Sequence, residues 1–239
     1  MTAVPTTAVP ATTVPATTGQ TDGANPGAEL DESQQPGFSQ AELLYLLTTN
    51  PSPAADFSAS VLGIDALDNA ELLIELGASS LLAHRSLVFS EDSQAVVPQR
   101  EALLLAYVLT SAKRWTTFGV VAADSGDSGF LIEAEEGRVL AQPRALNTWW
   151  FIFLDTEASI DAIFADTATS LTVAGAETAV YAEIATLTDS RGFSLYRSND
   201  EWSYAWGIPG DTEPKVHVDD ATAAEVDTAL VAFSADFPS

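Results

Sequence analysis

No cysteine occurs anywhere in the chain, so disulfides, thiolate metal sites and a cysteine nucleophile are excluded. Histidine is almost as scarce: any histidine-dependent catalysis or histidine-rich metal site must use His84 and His217, the two in the sequence. Cations are few, with 9 Lys plus Arg against 34 Asp plus Glu. The resulting formal charge of -25 repels phosphate backbones and anionic headgroups, so neither nucleic acid nor a membrane surface is an expected partner. Long apolar runs are missing as well. No stretch approaches the ~20 apolar residues that a membrane helix needs, and the N-terminus shows neither a basic n-region nor an apolar h-region. A cytoplasmic protein is the expectation. No closely alternating oxygen ligands end in a glutamate as a calcium loop requires, and no Gly-rich loop leads a strand into a helix, so no cofactor or metal is expected.

What is present is ample core material. Hydrophobic residues make up 46% of the 239, with five Trp and eleven Phe. A chain of this size buries roughly 70% of its unfolded surface and folds without staples. Residues 1–37 stand apart, because Val4-Pro5, Val9-Pro10 and Val14-Pro15 recur among Ala and Thr with little to bury. A disordered, partly polyproline-like tail is expected there.

Residues 38–114 read as a helical portion. Ser39 with Glu42 forms a capping-box pattern, and Phe38 before it can staple to Leu43, which predicts a helix through Thr48 ended by Asn50-Pro51 and Pro53. A second helix is expected from Asp68 to Leu76, stopping at Gly77, then a short helical stretch from Ser79 to Arg85. Pro98 suits the first position of a longer helix to Lys113, with Leu103, Leu104, Tyr107 and Val108 as its apolar face.

From Trp115 the pattern changes to strands and repeats itself. Phe118 to Phe130 lies over Tyr181 to Phe193 at an offset of 63, the Glu135-Glu136 turn matches Asn199-Asp200, and Asp155 matches Asp219 at 64. Each unit, 115–174 and 175–239, reads as strand, hairpin, strand, strand, loop, strand, helix. Thr148 to Leu154 is nearly all apolar and looks like a central strand covered on both faces. Asp155 is expected to cap a helix to Leu171. Thr222 and Glu225 are expected to cap the last helix, with Val226, Leu230, Phe233 and Phe237 inward. The fold class that follows is α+β: antiparallel sheets in two related units about a pseudo-two-fold, helices on one face, and 38–239 as one compact domain.

Few residues point to chemistry. Gly126-Asp127-Ser128-Gly129 matches the surroundings of a chymotrypsin-like nucleophile, but His84 lies only 44 residues upstream in a helical region, so a Gly- and Asp-rich turn is the expected role. His84 reads as a helix-end residue and His217 as an outward residue of an edge strand. Pairs such as Asp124 with Asp127 or Glu133 with Glu135 are what an acidic composition supplies; a carboxylate-dependent hydrolase would need such a pair facing across a cleft. No catalytic residue is therefore assigned. Trp149-Trp150-Phe151 reads as core. Trp202, Tyr204 and Trp206 share one face of a strand and are either core or the anchor for a partner helix; as a site they are the candidate partner-binding residues.

The run Leu81-Leu82-Ala83-His84-Arg85-Ser86-Leu87-Val88, then Val97-Pro98, then the Leu-rich helix ending Lys113-Arg114-Trp115, resembles the EspG family of type VII (ESX) secretion-associated proteins. The resemblance spans 38–237. It implies two related strand-and-helix subdomains behind a helical segment, and a cytosolic chaperone, without cofactor or turnover, that grips the tip of a secreted helical substrate. The competing expectation is a regulatory or assembly protein of another pathway.

Overall fold

The computed structural model describes residues 36–92, 94–122, 125–155, 177–198, 201–209, 211, 213–235 and 237, with backbone alone at 122, 125 and 127. The chain is α+β: the described residues form five helices and a nine-stranded antiparallel sheet, with a separate two-stranded hairpin. The expected tail before residue 36, the helix expected from Asp155 to Leu171 and the Asn199-Asp200 turn lie outside the described residues.

A three-residue strand β1 (Gly37–Ser39) leads into α1 (Gln40–Thr48). The capping box forms: the Glu42 N–H donates to Ser39 Oγ at 3.3 Å, and the Ser39 N–H donates to Glu42 Oε2 at 2.8 Å. Phe38 is buried in one core with Leu43 and sets its ring edge-on to Phe151. The prolines that stop α1 also open α2 (Pro53–Val61), a helix not among the expected elements. Pro53 takes the first turn, where its missing N–H costs nothing, and Ser52 Oγ accepts the Ala55 N–H at 3.0 Å.

The expected break at Gly77 does not occur. One helix, α3 (Ala70–Ala83), runs straight through it. A Cβ at Gly77 would overlap the Ala41 carbonyl, so glycine here allows α1 and α3 to cross in backbone contact. Next comes a hairpin, also unexpected, of β2 (Leu87–Ser90) with β3 (Ala95–Pro98). Pro98 therefore ends a strand, and α4 (Arg100–Ser111) starts two residues later. Its inward stripe is Ala102, Leu105, Ala106 and Leu109 together with Val108, whereas Leu103 and Leu104 face outward. Both stripes fit a helical period, and docking against the sheet selected between them.

The sheet consists of β4 (Arg114–Ala122), β5 (Ser125–Ala134), β6 (Gly137–Arg144), β7 (Thr148–Leu154), β8 (Thr178–Ala185), β9 (Ser190–Ser198), β10 (Glu201–Gly207) and β11 (Val216–Ala221), with β1 at one edge. Its order is β1-β7-β6-β5-β4-β8-β9-β10-β11. Two four-stranded meanders, β4–β7 and β8–β11, thus join through their first strands into one sheet. The pairs Arg114↔Glu133 and Phe130↔Ala141 recur as Thr178↔Arg197 and Ser194↔Ala205, so equivalent positions are 64 residues apart over the first three strands. Phe118 and Ala182, also 64 apart, pair across the joint and mark the pseudo-two-fold. An offset of 63 would slip the strands by one residue and exchange their faces.

The corrected register explains one glycine. Gly129 pairs with Phe118, and its counterpart pair is Phe193 with Ala182, so the large and small residues have exchanged strands. A Cβ at Gly129 would overlap the Phe118 ring. Gly129→Val is expected to cost about 1–2 kcal/mol in urea unfolding. In a Phe118→Ala background the same change is expected to become stabilising, because a β-branched residue suits a strand once the ring is gone. An equal cost in both backgrounds would refute this contact.

Other expectations are corrected by the sheet. Gly126-Asp127-Ser128-Gly129 is not a turn but part of β5, paired with Val121 to Phe118. β7 is not central: it is next to the edge, with Trp149 and Phe151 buried and the alternate residues half-buried. Helices cover both faces, not one. On one face Trp115, Ile132, Val139, Ala141 and Phe151 join the residues of α1, α2 and α4. Trp115 Nε1 donates to Ser58 Oγ at 3.0 Å, and Ser58 Oγ donates to the Leu109 carbonyl at 2.7 Å, locking α2, α4 and β4 together. On the opposite face α5 (Ala223–Ala235) lays Val226, Leu230 and Phe233 on Val180, Ala182, Ile184, Phe193 and Leu195. Its expected cap forms, the Glu225 N–H donating to Thr222 Oγ1 at 3.3 Å. No helix among the described residues is long and apolar enough to cross a membrane.

Candidate interaction surface

Strand alternation places Trp202, Tyr204 and Trp206 on one face, opposite Arg197, Leu195 and Phe193 of β9. That face is the one α5 covers. Trp202 is buried, and Tyr204 and Trp206 are half-buried against the α5 core. Tyr204 stacks on Phe193 with centroids 5.9 Å apart, while the Arg197 and Arg191 guanidinium groups lie 4.8 Å over Trp202 and 5.1 Å over Trp206. These three aromatics therefore line the second core, where each such ring contributes area and a stacking partner.

Among the described residues, the reverse face of the same strands is open. Two cross-strand rows run across it: Gly119, Tyr181, Ser194, Ala205 and His217 in one, and Val121, Ala179, Tyr196 and Ser203 in the other. They form a shallow depression of about 330 Å³. Its floor is made of small residues; Tyr181 is 46%, Tyr196 45% and Val121 65% exposed. In the first meander the same face carries α1, α2 and α4, because an N-terminal helical portion precedes it; among the described residues, none packs over these two rows. Tyr, Ser, Gly and Ala in this mixture suit recognition: rigid amphipathic rings give contact area at small entropy cost, and hydroxyls supply adaptable hydrogen bonds. In the sequence this signal lies in the residues that alternate with Trp202, Tyr204 and Trp206.

Two charged groups edge the surface. The Tyr181 hydroxyl donates to Glu183 Oε2 at 2.9 Å, and His217 Nε2 lies 3.2 Å from Asp219 Oδ1 on the edge strand, where His217 points outward as expected. Burial, with Glu183 adding to it, pushes the Tyr181 phenol up to about 12. A group raised in the folded state contributes stability below its ordinary value of about 10 and loses it as the pH climbs to the folded value. In an ultraviolet titration, Tyr181 is expected to ionise above the ordinary tyrosine range, and that step should vanish in Tyr181→Phe. Glu183→Gln should bring that step to lower pH. A wild-type curve identical to that of Tyr181→Phe would contradict this environment.

The remaining candidates are dispersed. His84 follows the last residue of α3; its ring is largely exposed and Nδ1 lies 3.7 Å from Glu42 Oε1, a carboxylate already holding the Ser39 and Ser80 hydroxyls. Glu133 is buried between Arg114 and Arg138, and Glu135 pairs with Lys113 at 2.9 Å, so these two carboxylates answer separate cations. Among the described residues, no group of three or more His, Asp or Glu side chains could hold a metal ion. No protein-family model matches the chain, and no curated protein sequence matches it significantly.

Proposed function

We propose that this protein is a non-enzymatic binding module that holds a helix of a partner protein on the open face of its second meander. The carrying observation is the pair of rows from Gly119 to His217 and from Val121 to Ser203, uncovered among the described residues where the pseudo-symmetric face bears helices. A sheet face has its backbone hydrogen bonds satisfied within the sheet, so it attracts side chains, and a helix laid on it is the packing this fold already uses on the first meander. The EspG-like resemblance favours a specific version, a cytosolic chaperone for a helical type VII secretion substrate.

Ser194→Arg and Ala205→Arg each raise a long charged side chain from the floor of the depression without entering the core. Either is expected to weaken binding of the stoichiometric native partner by tenfold or more, on the order of 1.4 kcal/mol, measured by calorimetry with the co-purified protein. A photo-cross-linker at Tyr196 should attach to that partner. Unchanged affinity in both arginine variants, with no cross-link at 196, would refute this location.

A further inference from the structure

We propose that the groove between α1 and α2 is a second docking site, taking a basic amphipathic helix of a partner protein. It is independent of the open sheet face. α1 buries Leu43 and Leu46 completely and Leu47 nearly so, and the half-buried Leu44 lines the side next to α2 together with the edge of Leu47. α2 contributes Ala55 and Ala59, one turn apart, and Pro51 closes one end. The groove encloses about 460 Å³. Its apolar floor is bordered by two exposed carboxylates, Asp56 in the first turn of α2 and Asp65 just beyond its end. Among the described residues, no cation lies within pairing distance of either.

Charge identifies the occupant. Six of the nine cations are committed internally: Lys113 to Glu135, Arg114 and Arg138 to Glu133, and Arg144, Arg191 and Arg197 over Trp150, Trp206 and Trp202. The chain's own first 37 residues contain no Lys, Arg or His, and carry Asp22, Glu29, Asp31 and Glu32. A second copy would bring another -25 and be repelled. The complement to this groove is therefore foreign and basic. α2, nine residues long, spans ~14 Å, so a helix lying along it would place apolar residues at i, i+3/i+4 and i+7 on the floor and Lys or Arg on its flanks over Asp56 and Asp65.

The probes are two fluorescein-labelled helical peptides of about 14 residues with the same Leu/Ala stripe, one flanked by Lys and one by Glu. Binding to the full chain is read by anisotropy. The Lys peptide is expected to bind, more weakly as salt rises, and Asp56→Lys/Asp65→Lys to lower its affinity about tenfold or more. Glu71→Lys/Glu91→Lys changes the net charge equally, on exposed residues of α3 and the β2–β3 turn that line neither surface, and should weaken it less than about twofold. The charge-neutral Leu44→Gln should weaken it about fivefold through the apolar floor alone. Equal losses in both charge variants would reduce the attraction to overall charge and overturn the proposal. An unchanged affinity in Leu44→Gln, or equal binding of the Lys and Glu peptides, would also overturn it. None of these outcomes bears on the sheet-face reading, which the Ser194→Arg and Ala205→Arg variants test separately.

Discussion

Arg114→Met is expected to lower the stability of the fold by about 3–5 kcal/mol, because it leaves a buried carboxylate short of its partner. Arg114 opens β4 with 8% of its surface exposed. Its Nη2 donates to Ser234 Oγ at 2.6 Å and to the Ser234 carbonyl at 3.2 Å, and its Nε lies 3.3 Å from Glu133 Oε2 on the neighbouring strand. One side chain thus ties the last turns of α5 to the joint between the meanders. Methionine fills much of the volume but supplies no donor, so the carboxylate loses the Arg114 guanidinium while Arg138 stays 3.6 Å from Glu133 Oε1. The double change Arg114→Met/Glu133→Met is expected to recover most of the loss, since a well-packed apolar pair often equals a buried ion pair. Urea unfolding of the four members of this cycle gives the coupling directly. A single-variant cost below about 1 kcal/mol would show that the pair is solvated, contrary to this structure.

Gly77→Ala comes next in size, and its sign opposes helix propensity. In an isolated helix alanine is favoured over glycine by about 1 kcal/mol. Here the added methyl would overlap the Ala41 carbonyl, a backbone atom that cannot rotate away. The two helices would have to separate, exposing Leu43, Leu46 and Leu81 of the core they share. A net loss of about 2–3 kcal/mol is expected, overpacking outweighing propensity. At roughly 2–4 °C per kcal/mol for a domain of this size, the melting midpoint should fall by about 5–10 °C. An unchanged or raised midpoint would mean that the crossing is looser than described.

Gly77 also shows why part of the fold was hidden from the sequence. A glycine that ends a helix and one that admits a second helix are the same letter, and only the approach of α1 distinguishes them. Ser52-Pro53 likewise reads as the end of one element when it is the start of another, and the choice between the stripes of α4 belongs to the sheet beneath it. The α5 stripe and both capping boxes were legible because they depend on neighbours three or four residues away. Trp202, Tyr204 and Trp206 sit midway: alternation put them on one face, but which face is covered depends on α5, which arrives from the far end of the second meander.

Composition by itself determined that no thiol chemistry exists here, that acidic surface prevails, and that two homologously patterned strand units follow a helical segment; these are sums and short-range periodicities. The joining of the units through β4 and β8, the 64-residue equivalence, the placement of helices on opposite faces and the open quadrant of the second meander were decided only in three dimensions. Hydrogen-bond register and the packing of distant surfaces set them, and neither is encoded in any local stretch of residues.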